Sequence, residues 1–549
     1  MRNAEFGMDK EYGISPYQYE SNKDAIPDVY SNSWENSIPH ELLIFAGKRP
    51  FTPDYFPNDV FPDRGIFDDI PAEARERHLN VFFSSNGDVL TAPPSHPEIA
   101  IAECSSIFDV AARDKASELY LWALARRWFI ELPDVKKRDV LPNQEDSIEL
   151  YKNDATHNGE TFGTHESYTA PSDKKTMERI EKYFPTALVV RQALFGAGHL
   201  RSLANLPSSL PPEQIRELYS YSQRASHITH SSYLGRSSNK ALYSIRETKP
   251  PREDKKRVHV SCGDSNMSAY ATALKFGVTH LMLQLIQETD YELPCTREPV
   301  KQVVRVADDP FTPIECTDGK FRTAFDILGE YCDISKKMYG NDDFETDWTM
   351  EEWNLMINLV YNLGNLERFD YKKFSPFIGR HDALSKLSML HEFMESEGWE
   401  AITPERYTHL QSIDNAYHLL DPYRGLTYSV KGDDDFDEKS CPFDSRYISP
   451  LKLQEIVDAM FMPPFDTRAV FRGAAISKWN NETLIFGNRI NMDSGYSHAT
   501  RVTPDRKQFT RINFGEFCVP EGNRALYESL LSADFDEFLY WANNKNPPQ

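Results

Sequence analysis

The first residues with chemistry in them are Asp9-Lys10-Glu11. On a strand, side chains alternate between faces, so Asp9 and Glu11 share one side while Lys10 and Tyr12 take the other. Two carboxylates on one sheet face repel unless a cation lies between them, and hard divalent ions such as Mg²⁺ favour such oxygen ligands. The segment TAPPSHPEIAIAEC (91–104) adds Glu98 and Glu103. These lie five apart, so a continuous strand would turn them to opposite faces. Glu98, after the His-Pro step, is expected to join Asp9 and Glu11, with Glu103 starting the next element. GTHESY (163–168) sets His165 and Glu166 beside the turn NGETFG, as a polar pair on a strand edge that could bind metal or phosphate. Arg224 in SQRASH, Arg246 in SIRETKP and His259 in RVHVSCGDSNM complete the set. Arginine suits bidentate contacts to phosphate or carboxylate. Taken singly, each of these groups is also an ordinary surface or strand-edge residue.

The elements that must position them follow from periodicity. Phe6 to Ile14 alternates as a strand. VFFSS and VLT precede the HPEIAIAEC segment, and IELYKND, ESYTA and KRVHVSCG read as further strands. Ile107 to Leu132 has apolar residues at helical spacing, and Met267 to Gln287 is apolar nearly all round, so that helix is expected to be buried. A helical pattern runs through 351–420, and the end ALYESLLSADFDEFLYWA reads as one closing helix. Residues 15–69 are rich in Pro, Asn, Asp and aromatics and form a long irregular insertion. GDDDFDEKSCPFD (432–444) is an acidic linker. The expected division is a large domain over 1–430 and a small C-terminal domain over 445–549.

Composition narrows the function. The 549 residues carry a formal charge of -23, which argues against a nucleic-acid binder. No apolar run approaches 18 residues, so no membrane span is expected. The N-terminal MRNAEFGMDKEYG lacks an apolar leader, and the seven cysteines contain no CxxC pair. A reducing cytoplasm is therefore expected.

In order along the chain, FGMDKEYGIS, NGDVLTAPPSHPEIAIAEC, LYKNDATHNGETFGTHESY, VRQALFGAG, YSQRASHI, SIRETKP, RVHVSCGDSNMSAYATALKFG, DNAYHLL and DTRAVFRG resemble the Pup ligase and depupylase family. These carboxylate–amine ligase-like proteins are distant relatives of glutamine synthetase. The resemblance implies an α+β fold, a large curved antiparallel sheet backed by helices with a small C-terminal domain. It also implies ATP and Mg²⁺ in the sheet's cradle, with the small disordered protein Pup bound beside it. Asp9, Glu11 and Glu98 then resemble Mg²⁺ ligands. His165, Arg224, Arg246 and His259 resemble residues that hold nucleotide phosphates, metal or the C-terminal glutamate of Pup. Pup is acidic in the family, so Arg126, Arg127 and the run Lys255, Lys256, Arg257 are basic patches for attracting it. A monomer is expected.

Two departures stand out. Asp9 replaces the family's glutamate. The family aspartate that precedes the HPE motif, and acts at the isopeptide bond or on the lysine, falls on Pro93, or on Ala92 if one gap is allowed. The long insertion and the ungapped NGDVLTAPPSHPE lean toward the depupylase branch, whereas SHPE and IAEC are closer to the ligase. The leading expectation is an ATP/Mg²⁺-assisted isopeptidase that cleaves Pup from substrate lysines, with Asp9 or Glu103 as substitute base. The alternatives are a pseudoenzyme that binds Pup or pupylated proteins, and a Pup–protein ligase.

Overall fold

The computed structural model describes residues 1, 4–17, 42, 45, 86–91, 96–131, 147–155, 161–202, 209–233, 240–248, 252–364, 376–429, 451–486, 498–502, 509–513 and 524–544. Nearly all of the 15–69 insertion, the VFFSS strand, Ala92 and Pro93, the acidic linker and both expected domain boundaries lie outside these residues.

Among the described residues seven strands form the main sheet: β1 (Gly7–Glu11), β2 (Val89–Thr91), β3 (Glu98–Ala100), β4 (Thr164–Pro171), β5 (His230–Tyr233), β6 (Ala241–Glu247) and β7 (Lys255–Gly263). Their spatial order is β2-β3-β1-β4-β7-β6-β5. All neighbours are antiparallel except β5 and β6, which run parallel. The sheet is therefore mixed at one edge, and three long helices back it: α1 (Ile107–Glu131), α2 (Lys174–Val190) and α3 (Ala269–Glu288).

The backed face of the sheet is where alternation buries its side chains. Lys10 Nζ meets Asp114 Oδ1 of α1 at 2.5 Å, and Lys152 Nζ meets Asp114 Oδ2 at 2.8 Å. Glu166 of β4 turns to the same side and is held bidentately by Arg191, with both N–O distances 2.8 Å. Phe6 and Tyr168 each contact Phe276 of α3 edge-on or tilted. The helix α3 is buried over most of its length, as its all-round apolarity requires, and Ser268 caps it by accepting from the Ala271 amide. One apolar cluster runs from Ala4 through Ala542 and includes Ile456, Val470 and Tyr527 of the C-terminal part.

The expected single closing helix is two, Arg524–Ser532 and Phe535–Asn544. Asp534 explains the break: its carboxylate accepts from the Glu537 amide at 2.9 Å while Glu537 accepts from the Asp534 amide at 3.2 Å, a reciprocal cap that starts a new helix. Among the described residues, no helix is long and apolar enough to cross a membrane.

Candidate active site

The face of the sheet turned away from the helices collects the groups singled out above. Asp9 pairs with His165, Glu11 with Glu98, Ser167 with His259, Ser244 with His259, and Arg246 with Arg257. Direct cross-strand partners in an antiparallel sheet point to the same side. The open face therefore runs from three carboxylates (Asp9, Glu11, Glu98), through two imidazoles (His165, His259), to two guanidiniums (Arg246, Arg257).

At the acidic end Glu11 and Glu98 stand opposite each other, an arrangement that destabilises a sheet unless the charges are compensated. Glu11 has help from two sides. Its Oε2 accepts from the Gly163 amide, and its Oε1 lies 3.5 Å from His96 Nε2. Burial would raise the Glu11 carboxyl, but His96, His165 and the Gly163 N–H outweigh it and bring it to about 2. Thr91 Oγ1 donates to Glu98 Oε2 at 3.0 Å. Gly163 has to be glycine: a Cβ there would sit 2.3 Å from His165 Nε2 and 3.2 Å from Glu11 Oε2.

In the middle, His165 is buried and stacked on His259. Burial, with Arg224, Arg246 and Arg257 adding repulsion against Glu11, lowers His165 to about 4, so the ring is neutral at pH 7. Its Nδ1 is buried with no hydrogen-bond partner among the described residues, as is Arg257 Nε. Buried polar atoms are normally paired, so such orphans on an open face mark where a polar ligand fits. Arg246 Nε donates to Ser244 Oγ at 3.0 Å, which holds the guanidinium along β6.

Arg224 enters from the SQR segment beside β7. Its Nε donates to Ser261 O at 3.0 Å and its Nη1 to Phe162 O. Asp264 delivers this segment: Oδ1 accepts from Ser222 Oγ at 2.9 Å and the Arg224 amide at 3.1 Å, and Oδ2 from the Gln223 amide at 2.8 Å and the Ala197 amide at 2.9 Å.

Several expected residues are placed differently. Glu166 does not pair with His165 as a ligand couple. The period of two sends it through the sheet to Arg191. Glu103 is not on the open face. Its Oε1 accepts from Arg468 Nε at 2.8 Å and its Oε2 from Arg472 Nη2 at 2.5 Å. Burial raises the Glu103 carboxyl, yet Arg472 and Arg468 bring it down to about 2, so it has no affinity for a substrate proton near neutral pH. In the run Lys255–Arg257, alternation sends only Lys256 to the other face, where it pairs with Glu247 at 2.5 Å. Lys255 shares the face of Arg257 but is paired with Glu5 at 2.9 Å, while Arg257 faces the cradle. Arg126 and Arg127 are exposed at the end of α1, where Arg127 pairs with Glu131 at 2.7 Å. The sequence reading missed the contributions of His96, Gly163 and Asp264, and it named Arg257 only as part of a basic patch for Pup. Arg257 is two positions from His259, which on a strand means the same face.

Among the described residues, no three His, Cys, Asp or Glu side chains converge closely enough to hold a metal ion by themselves.

Residues 5–488 match the model of the Pup-ligase protein family, and the chain belongs to that family. It is 28% identical over 373 residues to the Pup–protein ligase of Rothia mucilaginosa, covering 64% of this chain and 72% of that one. It is 26% identical over 503 residues to the depupylase of Acidothermus cellulolyticus, covering 87% and 88%. The fold matches the crystal structure of the complex between the prokaryotic ubiquitin-like protein Pup and its ligase PafA, with a TM-score of 0.67, 20% identity and coverage of 96% and 92%. It also matches PafA in complex with ADP at a TM-score of 0.62 and 20% identity, covering 82% and 89%.

Proposed function

We propose that this chain is an ATP- and Mg²⁺-dependent enzyme that acts at the bond between the C-terminal glutamate of Pup and a protein lysine, as a Pup–protein ligase. Family membership supports Pup as partner, and the ligase name prevails among the relatives. This reverses the order expected from the insertion and the HPE segment. The observation that carries the reading is the series on the open face, acids at one end and guanidiniums at the other, as a polyphosphate with its cation requires.

Magnesium takes few protein carboxylates and keeps several waters, so Asp9, Glu11 and Glu98 need not converge as a full cage. When bound, the ion neutralises phosphate oxygens and polarises what they are attached to. Asp9 and Glu11 hold that end, and the depressed Glu11 stays ionised throughout the physiological range. Arg246 and Arg257 offer planar forks to phosphate or carboxylate oxygens. His165 and His259 line the stretch between them, and neutral His165 can donate or accept there without adding charge. Arg224 fixes the neighbouring backbone and contributes positive potential. Asp9, whose carboxylate lies on the open face, is the candidate to take a proton from an incoming lysine.

One observation favours cleavage as the second reading: the A. cellulolyticus depupylase aligns with 87% of this chain, against 64 to 78% for the ligases of R. mucilaginosa, Kocuria rhizophila and Kineococcus radiotolerans. The two are separated by incubating the protein with Pup, ATP, Mg²⁺ and a lysine-bearing protein, and in parallel with a pupylated protein. A new, heavier band in the first reaction is expected. Loss of the band in the second alone moves cleavage ahead. No change in either, with Pup bound in a pull-down, leaves a Pup-binding protein without turnover.

A further inference from the structure

The helices α4 (Leu453–Phe461) and α5 (Ala469–Thr483) pack on the base of the β2–β3 strand pair, at the edge of the sheet. The Asn86-Gly87-Asp88 turn leads into β2, and Ala102-Glu103 leaves β3. Arg472 of α5 reaches both. Its Nη2 donates to Gly87 O at 2.9 Å and to Glu103 Oε2 at 2.5 Å. Arg468 takes the other carboxylate oxygen at 2.8 Å, and Thr467 Oγ1 donates to Glu103 O at 3.0 Å. Asn86 Nδ2 donates to Ala459 O of α4 at 2.9 Å, and Arg113 of α1 links Asn86 O, at 3.0 Å, to Met462 O, at 2.6 Å. Gly87 is at φ +86°, and a Cβ there would lie 3.2 Å from Ala469 Cβ, so the turn and the helix are in direct contact.

We propose that Glu103 and Arg472 form a positioning device, through which the C-terminal part of the chain fixes the β2–β3 pair and so sets Glu98 at the carboxylate end of the open face. Neither residue touches the open face, and both act through the strands they hold. One guanidinium closes the pair at its base, where strand entry and exit meet. At the other end of the pair Thr91 and Glu98 are direct partners. Only three residues long, β2 is the edge strand and is held on one side by β3, which β1 holds in turn through Asp9–Ala100, Lys10–Ile99 and Glu11–Glu98, so the grip at the base of the pair adds to a short ladder. A buried ion pair is weak evidence for stability, because desolvation offsets much of the attraction. What a bidentate, two-arginine clamp supplies is geometry.

The consequence for ligand binding rests on the nucleotide and Mg²⁺ reading above, and the test separates the two. Hydrogen exchange at the β2 and β3 amides is measured in the unmodified protein, in Glu103→Gln and in Arg472→Lys, with thermal melting alongside. The Mg²⁺ concentration that half-saturates ATP binding is measured in the same three proteins. Exchange at β2 and β3 should rise about ten-fold or more in both variants while β4 and β7 stay protected. The Mg²⁺ midpoint should rise in the same variants, with ATP binding in the absence of Mg²⁺ unchanged. Should Glu103→Gln fail to fold, Arg472→Lys, which keeps the charge but loses the fork, decides alone. Unchanged exchange at β2 and β3, or an increase spread equally over all strands, overturns the proposal. A raised exchange with an unshifted Mg²⁺ midpoint overturns its link to Glu98. If the unmodified protein shows no Mg²⁺-dependent ATP binding, the cradle reading fails, and the exchange result still decides whether the device positions these strands.

Discussion

His165 and His259 stack with their ring centroids 4.9 Å apart and their planes 12° from parallel. They lie between the carboxylates of β1 and β3 and the guanidiniums of β6 and β7. Burial and the field of Arg224, Arg246 and Arg257 keep the His165 ring neutral. A neutral His165 between the two charged ends of the face keeps them distinct, so a cation and an anion can each find their own partner.

Acid should therefore loosen the fold through His165. Its folded pKa is depressed from 6.5 to about 4, so the unfolded chain binds the proton first as pH falls. The stability it contributes is full above pH 6.5 and is lost between there and pH 4, at most about 3 kcal/mol. Urea unfolding across that window should show His165→Gln with a shallower pH slope than the unmodified protein. Other buried histidines, such as His391, titrate in the same window, so the difference between the two slopes is the quantity that matters. Identical slopes would rule out a buried neutral His165.

Gly163→Ala should damage the site selectively. The added methyl would meet His165 Nε2 at 2.3 Å, so the imidazole or the loop must move. We expect a loss of about 1–3 kcal/mol in stability and a weakened response to nucleotide. Gly329→Ala is the matched control. It lies inside the helix Ala324–Tyr339 with nothing within 4 Å of a new Cβ, so it should be neutral or stabilising by up to about 1 kcal/mol. Equal melting shifts in the two variants would contradict the close approach at Gly163.

Much of this face was legible in single strands. Asp9 and Glu11 share a side, and Lys10 leaves for the core, because a strand alternates and nothing else is needed to see it. Reading His165 and Glu166 as a couple ignored that same period. Cross-strand register was the harder part. Nothing in a sequence read alone says that Arg246 stands opposite Arg257 or Glu11 opposite Glu98. Glu103 shows the limit most clearly, since its partners lie 365 and 369 residues away and no local pattern can announce them. The Asp534 cap, by contrast, was written in the D-x-x-E spacing of Asp534 and Glu537.

Arg246 and Arg257 are like charges placed directly opposite, which destabilises an antiparallel pair by up to about 1 kcal/mol. Arg257→Met should therefore leave the ligand-free protein as stable as before or slightly more stable, while ATP binding falls by about ten-fold or more. Melting curves with and without ATP separate the two effects. Glu166→Gln should behave in the opposite way. It leaves Arg191 buried without its counter-charge, costing about 3–5 kcal/mol, and lowers the melting point whether or not nucleotide is present. A variant at Arg257 that loses stability but not affinity would remove it from the binding face.

Turnover should be slow, and an aspartate returned to the segment before His96 should raise it. By the family resemblance the aspartate is expected at Pro93, or at Ala92 with one gap, and these positions lie outside the described residues. The described residues on either side, Thr91 and Glu98, are paired at the acidic end of the open face, next to Glu11. Glu103, at about 2 and gripped by Arg468 and Arg472, cannot replace the aspartate. Asp9 is the remaining candidate, and a positioned general base is worth about 10²–10⁴ in rate. Pro93→Asp and Ala92→Asp test the two alignments one at a time, scored by the yield of Pup–lysine product per unit time and by release of Pup from a pupylated protein. We expect the larger gain from Pro93→Asp, which also restores a backbone N–H. Asp9→Asn in the same assays should abolish what residual activity the unmodified chain has. If neither aspartate variant gains and Asp9→Asn loses nothing, neither position supplies the base, and the chain is left as a binder of Pup.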